Sequence, residues 1–535
     1  MIKKFINSES SSINSAAFVI AVATLTSKFL GLLRDSIFAH HFPLGDMDIY
    51  YAAFRIPDFI YNIVVLGALS AGFIPIFARL LGEDKKEQAF KAANNILNIL
   101  FIILSALTLF ALVLTPQLTD LLAPGYSPEK KAAITELSRI MFLSPIFLLL
   151  SSILSGILQS YKRFLVYSLS TVVYNLGIIL GALILSPVLG LQGLAWGVVL
   201  GALLQFSIQL PSVRALGFHY RLFVDAKSEE VRTIIRITIP RICTLALSQL
   251  NLLAITVIAS TLATGSLAVF NYANNLQSFP LGIFAISFAI ACFPALSACG
   301  SETKREQFTD ILLSTAKQIL YFVIPLSIFL IIFRAQLVRV ILGHGYFDWI
   351  ATVMTIEALQ LFCLSLFAQA LIPLFSRAFW AMHDSRTPFW AAAASTLINI
   401  LLAIFLAPSF GLNGLIVAFT LSSIFNASVL FILLKRKYLA AVPKNFYITL
   451  AQTSFSAIIA GFIGYGTLYT VEPYLDTHTF IGIFAQGMLS GSAMLIVYFA
   501  WGWFFKIDEF IKFKDAIGSK MSKTRIRTTE LISEE

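Results

Sequence analysis

The chain has 535 residues, of which 58% are hydrophobic and 12% charged, with a mean hydropathy of +0.84. Soluble domains run near ~45–50% apolar and ~25% charged, so this composition excludes a water-soluble enzyme, a disordered polymer and a secreted disulfide scaffold. The formal net charge of +10 is a topology signal in such a chain before it is a nucleic-acid footprint, and no nucleic-acid partner is expected.

Apolar runs separated by charged or Gly/Pro-rich joints predict an all-α polytopic membrane protein with 14 transmembrane helices. The spans lie near residues 16–33, 50–78, 92–115, 134–159, 164–186, 190–211, 236–262, 266–298, 316–342, 351–378, 388–408, 411–434, 446–470 and 479–505. Residues 1–15 form a polar N-terminus. Span 1 carries Lys28 and no small-residue cleavage site follows it, so it reads as a retained helix. Alternate loops hold 29 of the 38 basic residues, among them Lys85, Lys86, Lys162, Arg221, Arg305, Arg386, Lys435 and the tail after Trp503. One missed helix would invert every later loop, so this alternation supports the count and places both termini in the cytoplasm. Within the basic tail, 506–535, the stretch Phe510–Ile517 has the pattern of a short amphipathic surface helix, or else is a solvated end.

The chain repeats itself. Pro187-Val-Leu-Gly190-Leu-Gln-Gly193-Leu is matched 221 residues later by Pro408-Ser-Phe-Gly411-Leu-Asn-Gly414-Leu, and the same offset takes Tyr51-Ala52 to Tyr272-Ala273. The joints follow spans bearing Asn175 and Asn399. Two pseudo-symmetric six-helix bundles are expected, 16–225 and 226–440, followed by two added helices at 441–505. Six helices per copy give both copies the same orientation, with a cavity between them, the layout of an alternating-access transporter. Pro57, Gly67, Gly72, Pro75, Pro280, Gly282 and Pro294 are expected bending points.

A charge at mid-helix costs ~2.5–3.5 kcal/mol on insertion scales, so it faces a cavity or a partner. Lys28, Arg34 and Asp35 in span 1, Arg55 and Asp58 in span 2 and Arg241 in span 7 are such charges. One reading is a basic cavity wall whose arginine forks suit phosphate oxygens. In the other, Arg34 pairs with Asp35 or Asp48, Arg55 pairs with Asp58, and Arg241 snorkels to the interface. Spans 7 and 8 add the neutral groups Gln249, Asn251, Tyr272, Asn274 and Asn275. The four cysteines and six histidines make no CxxC, HExxH or triad pattern, and there is no P-loop. No enzyme activity, metal or cofactor is expected.

The segments Ser27-Lys-Phe-Leu-Gly-Leu-Leu-Arg34-Asp35, Ala39-His-His-Phe42, Asp48, Ala53-Phe-Arg-Ile-Pro57 and Gly67-Ala-Leu-Ser-Ala-Gly-Phe-Ile-Pro75 resemble the MviN/MurJ lipid II flippase family, within the multidrug/oligosaccharidyl-lipid/polysaccharide exporter superfamily. Arg377-Ala-Phe-Trp-Ala-Met-His-Asp384-Ser-Arg-Thr-Pro388 and Tyr272-Ala-Asn-Asn-Leu-Gln-Ser-Phe-Pro-Leu-Gly282 extend the likeness. The resemblance implies a flippase of the bacterial inner membrane acting on undecaprenyl-pyrophosphate-linked sugar-peptide, lipid II, through a central cationic cavity. Membrane lipids and peptidoglycan-assembly proteins are the further implied partners. The substrate-binding residues then expected are Lys28, Arg34, Asp35, Asp48, Arg55, Arg241 and Asn275. At four places the chain departs from the family: Lys28, Tyr61 and Asn275 stand where it has arginines, and Leu66 where it has a glutamate. Ile255 replaces a carboxylate linked to sodium in some members. An exporter of another lipid-linked oligosaccharide and a non-transporting scaffold of the same fold are the alternative readings.

Overall fold

The computed structural model describes residues 13–66, 73–299, 304–477, 479–511 and 514–515. Among them every regular element is helical. Nine helices are long and apolar enough to cross a membrane, and a tenth crossing is the pair Trp349–Cys363 and Leu366–Ala381, bent by 46°. Each of the fourteen expected spans overlaps helix. The 52-residue helix Arg386–Lys437 takes up two of them, because Gly411 inside it leaves helical geometry. Gly67, Gly72 and most of the Phe510–Ile517 stretch lie outside the described residues.

The chain divides into two compact units. The first comprises Met1–Asn275, Ile341–Thr355 and Thr396–Ala418. Its early helices are α1 (Ile13–His41), α2 (Leu44–Tyr61), α3 (Ile74–Gly82), α4 (Lys86–Val113), α5 (Thr115–Leu122) and α6 (Pro128–Met141). They are followed by α7 (Ser144–Ser160), α8 (Phe164–Leu180), α9 (Ser186–Leu189), α10 (Leu191–Ala215), α11 (Glu229–Ser260) and α12 (Ser266–Pro280), whose last turn passes into the second unit. The buried cluster around Phe73, Phe77, Leu97, Ile153, Ile157 and Val213 ties α3, α4, α7 and α10 together.

Between α8 and α10 the contact is made by glycine. A Cβ on Gly177 would stand 2.3 Å from the Gly201 Cα, and one on Gly181 would stand 2.2 Å from the Gly197 Cα. Lipid tails are as apolar as leucine, so helices in a bilayer gain by bringing backbones close, and small residues permit it.

Several local features recur at a fixed separation. Gly190 and Gly411, 221 residues apart, adopt nearly the same left-handed conformation, φ 61° and ψ −140° against φ 58° and ψ −137°. Three residues on, Gly193 and Gly414 each press on the preceding turn, their Cβ positions 2.4 Å from Ser186 N and Leu406 O. Asn175 donates to Ser27 Oγ at 3.2 Å and Asn399 to Asn251 Oδ1 at 2.7 Å, both members shifted by 224 residues. Tyr51 and Tyr272, matched by the sequence repeat, meet edge-to-face at 6.0 Å. The expected bending helices both carry π-helical turns, Asn62–Leu66 after Pro57 and Leu281–Ile286 after Pro280. A proline lacks the N–H of the regular ladder, and a π turn is one way the ladder re-forms around it.

The second unit comprises Leu276–Val340, Ile356–Ser395 and Phe419–Glu535. Its helices are α13 (Ser287–Ala298), α14 (Arg305–Ile332), α15 (Arg334–Ile341), α16 (Trp349–Cys363), α17 (Leu366–Ala381), α18 (Arg386–Lys437), α19 (Lys444–Val471) and α20 (Phe480–Phe504). The hairpin of α19 and α20 packs on α14 through Tyr321, Phe333, Ala457, Ala460, Met494 and Tyr498. The Tyr498 hydroxyl donates to the Tyr321 carbonyl at 2.7 Å. At the joint before α18, Asp384 accepts from Thr387 N at 3.0 Å, Thr387 Oγ1 at 2.6 Å, Tyr438 Oη at 3.1 Å and Lys437 Nζ at 3.2 Å.

Candidate functional site

The first unit encloses a cavity of about 430 Å³, reached by side chains of α1, α2, α7, α8, α10 and α12. Its wall holds Arg34, Arg55 and Asp58, the phenols of Tyr50, Tyr51, Tyr61 and Tyr174, and the amides of Gln205, Asn271 and Asn275. Two guanidinium groups among many neutral hydrogen-bonding groups suit an oxygen-rich anion.

Arg34 and Asp35 form an adjacent pair. Arg34 Nη2 and Nε lie 2.8 and 3.1 Å from Asp35 Oδ1, and Asn275 Nδ2 donates to Asp35 Oδ2 at 2.7 Å. Side-chain exposure is 20% for Arg34 and 3% for Asp35, so the carboxylate is the buried anchor and the arginine fronts the cavity. Asn275, where the family has an arginine, thereby serves as the second hydrogen-bond partner of the anchor.

Arg55 is held differently. Its Nε donates to Thr256 Oγ1 at 3.1 Å and its Nη2 to Asn271 Oδ1 at 2.9 Å. The expected alternative, a hydrogen-bonded pair with Asp58, gives way to two neutral oxygens, although Asp58 lines the same cavity. Neutral partners orient a guanidinium without cancelling its charge. Thr256 follows Ile255, which is buried; the missing carboxylate's neighbour is thus the residue that positions Arg55.

The other expected residues lie elsewhere. Lys28 is partly buried on α1 and is not part of the cavity wall; six residues before Arg34, it sits about 9 Å along the helix. Asp48 is fully buried and accepts from Gly265 N at 2.6 Å and Ala268 N at 2.9 Å. It satisfies free N–H groups at the start of α12, an N-terminal capping contact made across the fold. Arg241 belongs to α11, but its side chain lies outside the described residues, as does that of Leu66. Tyr61 lines the cavity and exchanges a hydrogen bond with Ser152 Oγ at 2.9 Å.

Sequence reading missed Asn271, Thr256, Tyr50, Tyr174 and Gln205. Asn271 had a signal, since it opens the run Asn271-Tyr-Ala-Asn-Asn275, in which residues four apart share a helix face. Nothing in the sequence marks Thr256.

A model of the family described as Lipid II flippase MurJ matches residues 44–485. Among curated relatives, the lipid II flippase MurJ of Burkholderia cenocepacia is 25% identical over 432 residues, covering 79% of this chain and 84% of the relative. The probable lipid II flippase MurJ of Vibrio cholerae is 28% identical over 428 residues, 78% and 82% of the two chains. A solved lipid II flippase MurJ, in an inward closed conformation, superposes with a TM-score of 0.77 at 25% identity, covering 92% of this chain and 99% of that one. An inward-facing multidrug resistance transporter of the MATE family shares the fold, at TM-score 0.66 and 17% identity, covering 77% of this chain and 94% of its own. With the family model covering most of its length, this multi-pass membrane protein belongs to the lipid II flippase MurJ family.

Proposed function

We propose that the chain moves lipid II across the bacterial inner membrane by alternating access of two related bundles, 16–225 and 226–440, with both termini cytoplasmic. The observation that carries this reading is Arg55, a cation fixed in a membrane-embedded cavity by neutral oxygens and free to attract a pyrophosphate. Arg34 supplies a second guanidinium, oriented by Asp35, with Asn275 holding that carboxylate. Lys28 extends the positive track along α1, and Arg241 is its counterpart in the second bundle. Asp48 contributes by fixing the start of α12. The duplicated Gly190 and Gly411 joints and the paired Asn175 and Asn399 contacts support two copies of one bundle. The added helices, 441–505, leave an apolar surface for the undecaprenyl tail.

The test is complementation of flippase-depleted cells together with lipid II accessibility at the outer face. Arg55→Gln is expected to abolish growth and exposure of lipid II while membrane levels stay normal. Full growth of this variant would overturn the assignment. Tyr61 and Asn275, at positions where the family has arginines, favour a second reading in which a different sugar headgroup rides on the same pyrophosphate. Reconstituted flipping of lipid II against other undecaprenyl pyrophosphates separates the two.

A further inference from the structure

A second polar cavity, of about 390 Å³, lies wholly in the second unit at the end of α14 where the chain turns into α15. Its lining includes Arg334, Gln336 and Arg339 of α15, Tyr465 and Tyr469 of α19, and Glu472 just beyond. Tyr465, Tyr469, Tyr474 and Phe480 are all exposed around it. Such a belt of aromatic rings marks the depth of lipid headgroups.

Two buried atoms here lack partners. Arg334 Nε is an unused donor and Gln336 Oε1 an unused acceptor. The Gln336 amide is oriented by a relay, its Nε2 donating to Gln486 Oε1 at 3.1 Å while Gln486 Nε2 donates to the Leu468 carbonyl at 3.2 Å. The rest of Arg334 is steadied by the Ile331 carbonyl and Arg339 by the Thr477 carbonyl. A buried polar atom without a partner is costly, so an unmet donor and an unmet acceptor in one cavity describe the complement of a ligand.

The geometry points to a headgroup site for a zwitterionic bilayer lipid, of the phosphoethanolamine type. The phosphodiester meets the guanidinium groups of Arg334 and Arg339. The ammonium meets the Glu472 carboxylate, Gln336 Oε1 and the faces of Tyr465 and Tyr469. A free phosphate would use the arginines and leave the acceptor side unmet. An anionic phosphoglycerol headgroup would face Glu472 with like charge.

Native mass spectrometry of the full chain released from vesicles of equal phosphatidylethanolamine and phosphatidylglycerol tests this. The wild-type chain should retain phosphatidylethanolamine preferentially, and 10 mM inorganic phosphate should not displace it. Arg334→Gln with Arg339→Gln should lower retention by about tenfold, the scale of one lost charge-assisted hydrogen bond. Glu472→Gln should erase the preference between the two lipids. Gln336→Leu, a smaller perturbation, should lower retention if the double variant fails to fold. Equal retention of both lipids by the wild-type chain, displacement by phosphate, or unchanged retention in folded arginine or Gln336 variants would overturn the proposal.

Discussion

Removing the two charges of the Arg34–Asp35 pair, singly and together, separates what the pair does for folding from what it does for transport. Asp35 is nearly fully buried and has two partners, Arg34 and Asn275. Arg34→Leu leaves that carboxylate with one neutral amide; breaking a buried pair in this way costs ~3–5 kcal/mol. Arg34 keeps a fifth of its side-chain surface exposed to the cavity, so about 3 kcal/mol, the low end of that range, is expected. Asp35→Leu strands a better solvated cation and should cost about 2 kcal/mol, because one neutral cavity-facing arginine neighbour can rehydrate. The double variant removes both charges, and apolar replacement of a buried pair is often neutral within ~1 kcal/mol. The assay is thermal unfolding of purified protein in nanodiscs, alongside complementation. The reasoning holds if the double variant recovers stability but not growth. Growth of the stable double variant would refute a substrate role for Arg34, and a double variant as unstable as the sum of the singles would refute the pairing argument.

Other perturbations probe different parts of the molecule. Arg55→Lys keeps the charge but reaches only one of Thr256 and Asn271, so flipping should fall about tenfold with normal membrane levels, measured by lipid II accessibility. Gly181→Val should collapse the α8–α10 contact and the amount of folded protein on size-exclusion chromatography, whereas Gly466→Ala, with nothing within 4 Å, should be silent. Gly190→Ala and Gly411→Ala should each cost ~1–2 kcal/mol, because both positions demand the left-handed region; two closely similar melting shifts are expected. At the joint before α18, burial alone would raise the Asp384 carboxyl, but the Thr387, Lys437 and Tyr438 hydrogen bonds outweigh it and hold the pKa at about 2. An unfolded aspartate titrates near ~3.9. The depressed folded value therefore adds stability above that pH, and the contribution is lost as pH falls toward 2. Asp384→Asn should flatten the melting temperature over that window.

The span positions were legible because a bilayer imposes a length on every apolar run, and charges mark the ends. The Arg34–Asp35 pair was legible because its members are neighbours. The partners of Arg55 were not, since Thr256 and Asn271 lie 201 and 216 residues away and carry no charge to betray them. Asp48 misled for a related reason. A carboxylate that caps a helix by accepting backbone N–H groups leaves no mark in the partner's side chains. The glycine spacing Gly177, Gly181 and Gly193, Gly197, Gly201 was visible, yet only the packed helices tell which two rows face each other.

The segment linking α10 to α11 is stitched to α4 by three asparagines. Asn94 pairs with His219 O and Arg221 N, Asn98 with Arg221 O and Phe223 O, and Asn95 with both backbone groups of Asp225. These amides read main chain, as a neighbouring strand would, so the path of the segment is set while the identity of its outward side chains is not. Leu222 and Val224, 84% and 49% exposed, are therefore positions where the genetic text can drift without moving the chain. A dye or affinity handle fixed at Leu222 would ride on a stationary mount, and any motion it registered would belong to the body beneath it.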